Sequence, residues 1–154
     1  MQDVQKNSQD DPQAVLSLVT LGVADLNRSV AFYEALGFER RAVSAEGVGF
    51  FQAGACVISV FPSKDLAKDA DISFENLPPG FRGISLAWNC RSKKEVDAAI
   101  DRAYRAGATV QKSAVDVFWG GYLGYFYDPD GHLWEVTYNP GFPLTPDGRL
   151  QLPN

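Results

Sequence analysis

Histidine and cysteine are scarce in this sequence, and their scarcity excludes several kinds of site. The only histidine is His132, so one chain cannot build a site that needs two or three imidazoles. This excludes a histidine-rich zinc hydrolase and a two-histidine, one-carboxylate iron oxygenase, unless different chains each supply their copy. The two cysteines, Cys56 and Cys90, are too few for a disulfide framework and too far apart for a CxxC site. We therefore expect buried, unreactive thiols in a reducing compartment.

Positive charge is also in short supply, and long apolar runs are missing. Asp and Glu number 19 against 14 Lys and Arg, which gives a formal net charge of -5. Nucleic acids and anionic membranes are bound through basic surfaces, so we expect neither as a partner. No apolar run approaches the roughly 20 residues of a membrane span, and the amino terminus lacks the apolar core of a secretory signal. These absences predict a cytoplasmic protein.

The sequence does contain enough apolar material for a packed domain. Of its 154 residues, 45% are hydrophobic and 12% are aromatic, which is a globular composition. The polar stretch 1–13 has no aromatic residue and predicts a disordered tail. The last stretch, 141–154, is interrupted by prolines and predicts an extended arm.

Between these ends the same order of elements occurs twice. A strand, a helix and three strands are predicted over residues 14–62, and again over residues 83–140. The stretch 63–82 between them contains a Leu-Pro-Pro-Gly segment and predicts a connector. The repeated order of elements therefore predicts an α+β domain made of two βαβββ modules.

Residues at the predicted element ends have the chemistry of caps and turns. Asp25 and Ser92 precede the helical patterns and are typical N-cap residues. Gly37 and Gly107 stand where the two helices end. The segment Asp-Pro-Asp-Gly at 128–131 predicts a tight turn between the last two strands.

Two segments, one in each module, carry a distinctive pattern. Residues 16–26 read LSLVTLGVADL and are followed by SVAFY and LGF, while residues 124–136 read GYFYDPDGHLWEV. This pattern resembles the opening and the closing hairpin of the vicinal oxygen chelate superfamily, which includes glyoxalase I, bleomycin-resistance proteins and extradiol dioxygenases. The resemblance covers residues 14–140 and implies two βαβββ modules that form a cupped half-barrel with a ligand cavity inside the cup. It also implies a homodimer, since many members are homodimers and some exchange modules between chains.

The resemblance further implies where metal-using members hold their ion. Carried over by register, the four positions are Leu18, roughly Ile58, Ser85 and Glu135. Only Glu135 matches the family's pattern, because leucine and isoleucine have no lone pair to offer and serine is a poor metal ligand. Exchange of modules between identical chains would bring together the same four residue types. We therefore expect no catalytic metal and no other cofactor.

Glu135 is the candidate catalytic residue. In a strand, Leu133, Glu135 and Thr137 share one face, while Trp134 and Val136 share the other. A carboxylate among apolar side chains suits a general acid or base. The alternative is a retained carboxylate that only accepts hydrogen bonds from a neighbouring hydroxyl or backbone N–H. His132 has the opposite parity and follows a turn glycine, so we expect it at the surface or in the turn.

Five further residues are candidates for ligand binding. Ser85 and Asn89 alternate on one face of the fifth predicted strand and can offer hydrogen bonds inside the cup. Trp119, Tyr122 and Tyr125 belong to a ring-rich stretch that suits a flat ligand. The alternatives are a solvated polar pair at the cavity edge, and rings that pack in the core or in a dimer interface.

Three functions remain open at this point. The first is a metal-free protein of the glyoxalase or bleomycin-resistance type that binds a small organic molecule in an aromatic cup, with Glu135 as polar anchor. The second is an enzyme of the same superfamily, a lyase, isomerase or dioxygenase-like catalyst. Glu135 would then act as acid or base next to a carbonyl, or as the sole protein ligand of a metal. The third is a structural homodimer whose cup is filled by its own side chains.

Overall fold

The described residues of the computed structural model, 14, 16–76 and 80–152, form eight strands and three α-helices. In chain order the elements are β1 (Leu18–Val23), α1 (Leu26–Leu36), β2 (Glu39–Arg41), β3 (Gly49–Ala53), β4 (Cys56–Pro62), α2 (Ser63–Asp69), a 3₁₀ turn (Phe74–Asn76), β5 (Leu86–Asn89), α3 (Lys93–Ala106), β6 (Thr109–Asp116), β7 (Tyr122–Tyr127) and β8 (Leu133–Tyr138). The predicted tail 1–13 lies outside the described residues. No helix in the described ranges is both long and apolar enough to cross a membrane.

The strands form two open four-stranded sheets with the same topology. The first sheet has the order β1-β4-β3-β2 and the second the order β5-β8-β7-β6. In each sheet the first strand of the module runs parallel to the last, and the remaining pairs are antiparallel. This arrangement confirms the predicted α+β fold of two βαβββ modules in a cupped half-barrel.

The two long helices begin and end at the predicted residues. The carboxylate of Asp25 accepts a hydrogen bond from the backbone N–H of Arg28 at 3.0 Å, and the hydroxyl of Ser92 accepts one from Glu95 at 3.2 Å. Gly37 and Gly107 adopt left-handed conformations with φ of 105° and 109°, which glycine reaches without steric cost. Local sequence chemistry therefore fixes both helices.

The two sheets contribute their helix-covered faces to one shared core. Helix α1 packs on β3 and β4, and α3 packs on β6, β7 and β8. Side chains from both sheets, including the fully buried Phe51, Phe126 and Val136, belong to the same cluster. Rings join the modules directly, since Trp134 lies 6.2 Å from Tyr33 between ring centroids. The opposite face of each sheet, which carries Glu135 in the second module, therefore lies on the outside of this core.

Asp128, in the turn between β7 and β8, ties the second module to α1. Its buried carboxylate accepts hydrogen bonds from the hydroxyl of Tyr33 at 2.7 Å and from the backbone N–H of His132 at 2.8 Å. The ring Nδ1 of His132 lies 2.7 Å from the same carboxylate. Burial raises the pKa of Asp128, but the hydrogen bonds and charge of His132 and the Tyr33 hydroxyl together hold it below its ordinary value.

Asp130 makes a second link from the same turn. Its carboxylate accepts hydrogen bonds from the backbone N–H of Ala24 at 2.9 Å, the hydroxyl of Ser29 at 3.0 Å and the guanidinium of Arg28 at 3.1 Å. The Asp-Pro-Asp-Gly segment is thus a turn, as its chemistry predicts, and it also joins the modules.

Two segments differ from the sequence-based expectation. The predicted connector contains helix α2, whose Ser63 and Leu66 lie against Gly22 of β1. The segment predicted as an extended arm folds back as a hairpin, in which Leu144 pairs with Leu150. The carbonyl of Thr145 accepts a hydrogen bond from the N–H of Gly148 at 2.9 Å and closes the turn. Prolines exclude regular secondary structure here, but they do not exclude a tight turn.

Candidate functional site

Glu135 occupies the middle of β8 on the outward face of the second sheet. It lies opposite Ala87 of β5 and Tyr125 of β7 in the strand register. The hydroxyl of Tyr125 donates a hydrogen bond to Oε2 of Glu135 at 2.5 Å. Helix α3 packs on the other face of this sheet, against the side chains that alternate with Glu135. Both side chains of the pair are only partly buried, so a ligand can reach them.

The hydrogen bond to Glu135 disfavours ionisation of Tyr125. It raises the pKa of the phenol to about 12, with further contributions from burial and from the negative charge of Glu135. The phenol donates to one carboxylate oxygen of Glu135 and holds it in a fixed direction. Such a pair can accept a hydrogen bond from a ligand through its remaining lone pairs.

Thr137 adds a polar group to the same face. It lies two residues beyond Glu135 on β8 and opposite Asn89 and Leu123 in the register. Its hydroxyl is buried and makes no hydrogen bond in the part of the chain that the structure describes. A buried polar group without a partner is costly and uncommon, so this hydroxyl is a candidate ligand contact. Sequence analysis placed Thr137 on the Glu135 face but gave it no role.

The structure brings together only part of the predicted site. Asn89 shares the face of Glu135 and lies on the adjacent strand, β5. Tyr122 does not, because its hydroxyl donates a hydrogen bond to Asp97 of α3 at 2.7 Å on the helix-covered face. Tyr122 and Tyr125 therefore lie on opposite faces of the sheet, as expected for residues three apart in a strand.

Trp119 and Ser85 both lie outside the strands of the second sheet. Trp119 belongs to the turn between β6 and β7, where its ring occupies the space beside Gly121. Ser85 precedes β5 and is exposed. The structure therefore groups Glu135 with Tyr125, Asn89 and Thr137, while Tyr122 lies on the opposite face and Trp119 and Ser85 lie outside the strands.

The donor set does not fit a metal ion. Ile58 is 5% exposed and points into the core, so the residue of β4 on the outward face is its neighbour Ser59. Ser59 lies opposite Thr20 of β1, and their hydroxyls are 2.6 Å apart. Leu18 has no donor atom. No group of three or more His, Cys, Asp or Glu residues is placed to hold an ion anywhere in the described ranges.

Comparisons with known proteins agree with this architecture. Residues 15–136 match the sequence model of the family described as Glyoxalase/Bleomycin resistance protein/Dioxygenase superfamily. A glyoxalase-related enzyme from Fulvimarina pelagi is 31% identical, with a TM-score of 0.79 over 92% of this chain and 99% of that one. A lactoylglutathione lyase from Agrobacterium tumefaciens is 24% identical, with a TM-score of 0.62 over 83% of this chain and 96% of that one. The second likeness concerns the fold alone.

A shorter match links the chain to an uncharacterized protein of Mycobacterium bovis. The two are 45% identical over 42 residues, which is 27% of this chain and 28% of the length of that curated relative. The family assignment rests instead on the match over residues 15–136, on the repeated βαβββ order and on the paired sheets. The chain belongs to the Glyoxalase/Bleomycin resistance protein/Dioxygenase superfamily.

Proposed function

We propose that this protein binds a small organic molecule on the outward face of the second sheet, with Glu135 as the polar anchor and without a catalytic metal. The observation that carries the proposal is the hydrogen bond from Tyr125 to Glu135 on a face that α3 leaves uncovered. A carboxylate at the protein surface is already stabilised by water and does not require a phenol as hydrogen-bond donor. Here the phenol orients the carboxylate and presents its own ring beside it, which suits a ligand with a flat apolar body and a hydrogen-bond donor.

The hydroxyl of Thr137 supports a ligand of this kind. It is buried and has no hydrogen-bond partner in the described part of the chain. A ligand group that reaches both Glu135 and Thr137 would satisfy this hydroxyl on binding. The metal-free part of the proposal rests on the donor set, in which Leu18 and Ser59 accompany Glu135.

The proposed ligand site is completed by a second copy of the chain. Within one chain the helix-covered faces meet in the core, so the two outward faces cannot close on each other. Both outward faces carry exposed apolar surface. On the first sheet this surface includes Leu18, which has 42% of its surface exposed. In a homodimer, the first-sheet face of one copy would lie over the Glu135 face of the other and form the cup.

A ligand-library thermal-shift screen tests the proposal. Ligands that stabilise the parent protein should stabilise Glu135→Gln and Tyr125→Phe less, because each change removes one polar partner. Glu46→Gln, in the exposed turn before β3, is the matched control and should behave like the parent. Equal stabilisation of all four proteins by every ligand would refute the site. Stoichiometric metal in protein purified without chelators would refute the metal-free reading.

The dimer is tested by light scattering after size-exclusion chromatography. Leu18→Asp places a charge on the outward face of β1 and should shift the protein towards monomer. Val43→Asp changes an equally apolar residue in an exposed loop, 68% exposed, and should leave the mass unchanged. A monomeric parent, or equal masses for both variants, would contradict the shared cup.

Catalysis is the second candidate function. The observation that favours it is a carboxylate held beside a protonated phenol, an arrangement able to move a proton next to a carbonyl group. The similar protein from Fulvimarina pelagi is described as a glyoxalase-related enzyme. Proton exchange from carbonyl ligands in deuterated water, followed by NMR, separates the two functions. Exchange that Glu135→Gln abolishes supports an enzyme, whereas ligand binding without exchange supports a binding protein.

A further inference from the structure

A groove of about 670 Å³ opens between the modules, beside β1 and β5. Its floor includes the half-buried side chains of Leu86 and Trp88. These two residues flank Ala87, which lies opposite Glu135 in the register, so their side chains point to the other face of the sheet. The groove therefore meets the candidate site only along β5, through Ala87 and Asn89, and its aromatic side chains belong to the opposite face.

Aromatic rings from both modules line the groove. The ring centroid of Phe38 lies 6.0 Å from that of Trp88 and 5.7 Å from that of Trp134. The rings are tilted by 47° and 39°, so their faces are not stacked on one another. Phe38 and Trp88 are only partly buried and present ring surface to the groove. Such a floor favours a flat apolar molecule.

Each charged side chain at the rim of the groove already makes a hydrogen bond or a salt bridge. The guanidinium of Arg91 donates hydrogen bonds to the carbonyls of Thr145 at 2.7 Å and Pro146 at 3.0 Å. The carboxylate of Glu95 accepts a hydrogen bond from the backbone N–H of Arg91 at 2.7 Å. A salt bridge of 2.9 Å joins Arg149 and Asp147 of the carboxyl-terminal hairpin. With two cations and two anions, the rim offers no excess charge of either sign to attract a charged ligand.

We infer that the groove is a second binding site, for an uncharged aromatic molecule, because aromatic rings line it and the charges at its rim balance. Its volume lies within the roughly 300–1,000 Å³ of small-molecule pockets. Leu16 and Leu150 line the groove with 72% and 43% of their surfaces exposed, and a bound molecule would cover them. The carboxyl-terminal hairpin, held by Arg91, forms one wall of this site.

Titration with 2-naphthol, followed by NMR of the tryptophan indole N–H groups, tests the inference. The chain has three tryptophans, so three indole signals report on three places. Binding in the groove should shift the signals of Trp88 and Trp134 with saturation, and leave that of Trp119 unchanged. Trp88→Phe and Trp119→Phe assign the signals. Shifts of all three without saturation, or of Trp119 alone, would overturn the inference.

Substitutions separate this groove from the Glu135 face. Ala55→Phe places a ring at the groove wall and should weaken 2-naphthol binding by about tenfold or more. Ala98→Phe, on the exposed side of α3, is the matched control and should bind like the parent. Ala55 lies in the turn between β3 and β4 of the first module, so failure of the Glu135 proposal leaves this result unaffected.

A charged probe tests the ligand class. Naphthalene-2-sulfonate has the same ring system and a negative charge, and it should bind about tenfold more weakly than 2-naphthol or not at all. Equal affinity for the two probes would overturn the uncharged class. Unchanged binding of 2-naphthol by Ala55→Phe would overturn the location.

Discussion

Replacing Asp128 with alanine tests the contact between the two modules. The side chain of Asp128 is 1% exposed and accepts hydrogen bonds from Tyr33, from the backbone N–H groups of Asp130 and His132, and from the ring of His132 when its Nδ1 is protonated. Only the bond from Tyr33 crosses between modules. Loss of the carboxylate would leave the Tyr33 hydroxyl buried without an acceptor for its proton.

The expected loss is large for a single side chain. A hydrogen bond to a charged group contributes roughly 1.5–3 kcal/mol, and removing one partner of a buried ionic group costs roughly 3–5 kcal/mol. We expect Asp128→Ala to lower the free energy of unfolding by about 3–5 kcal/mol, which for a chain of this size lowers Tm by roughly 6–20 °C. Tyr33→Phe removes this bond and the longer one that the indole of Trp134 donates to the Tyr33 hydroxyl at 3.3 Å, and should cost about 1.5–3 kcal/mol.

Urea unfolding followed by circular dichroism measures these changes. Asp101→Ala is the control, because Asp101 forms an exposed salt bridge with Arg105 within α3, and its loss should stay within about 0.5 kcal/mol. A loss for Asp128→Ala that equals the loss for Asp101→Ala would refute the reasoning. It would mean that Asp128 does not hold the modules together.

The same residue predicts how acid affects stability. The pKa of Asp128 is lower in the folded protein than its ordinary value of about 3.9. Its contribution is therefore complete above pH of about 4 and is lost as the pH falls through the folded pKa. Asp128→Asn, which cannot titrate, should show a flatter loss of stability below this pH than the parent. Parallel curves for the two proteins would contradict this origin of acid sensitivity.

Three further predictions concern local contacts. Tyr125 should titrate near pH 12, because its hydrogen bond to Glu135 disfavours the phenolate. The stability that this contact contributes should be complete below the ordinary tyrosine pKa of about 10 and should be lost as the pH rises through about 12. Glu135→Gln should lower the titration midpoint, which NMR of the tyrosine Cζ will report. Gly124→Ala should cost about 1–3 kcal/mol in urea unfolding, because its new Cβ would lie 2.7 Å from the carbonyl of Lys112, whereas Gly141→Ala should cost far less. Ser92→Ala should cost about 1 kcal/mol by the same assay, through loss of the N-cap of α3.

The parts of the fold that follow local rules could be predicted from the sequence. The caps at Asp25 and Ser92 and the left-handed glycines at 37 and 107 depend on neighbouring residues alone. Helix α2 was missed because Ser63–Asp69 is short, follows a proline and buries only Ala67. Its position comes from packing against β1, which no local pattern reveals.

Strand parity explains two differences between the predicted and the observed side-chain positions. Strand parity separates Tyr122 from Tyr125 and Ile58 from Ser59, and a slip of one residue moves a side chain to the other face. Glu135 was placed on the correct strand because a turn of known chemistry precedes it. The link from Asp128 to Tyr33 spans 95 residues, and the chemistry of the turn alone does not indicate it.

The contact made by Asp128 determines which surfaces remain for a ligand. It joins the turn before β8 to the buried side of α1, so the helix-covered faces meet and the Glu135 face stays outside. The pair of Tyr125 and Glu135, by contrast, lies on adjacent strands of one sheet, directly opposite in the register. Tyr33→Phe should therefore weaken the contact between modules but leave the titration midpoint of Tyr125 unchanged. A shifted midpoint in this variant would mean that the carboxylate is positioned by the module contact and not by the sheet.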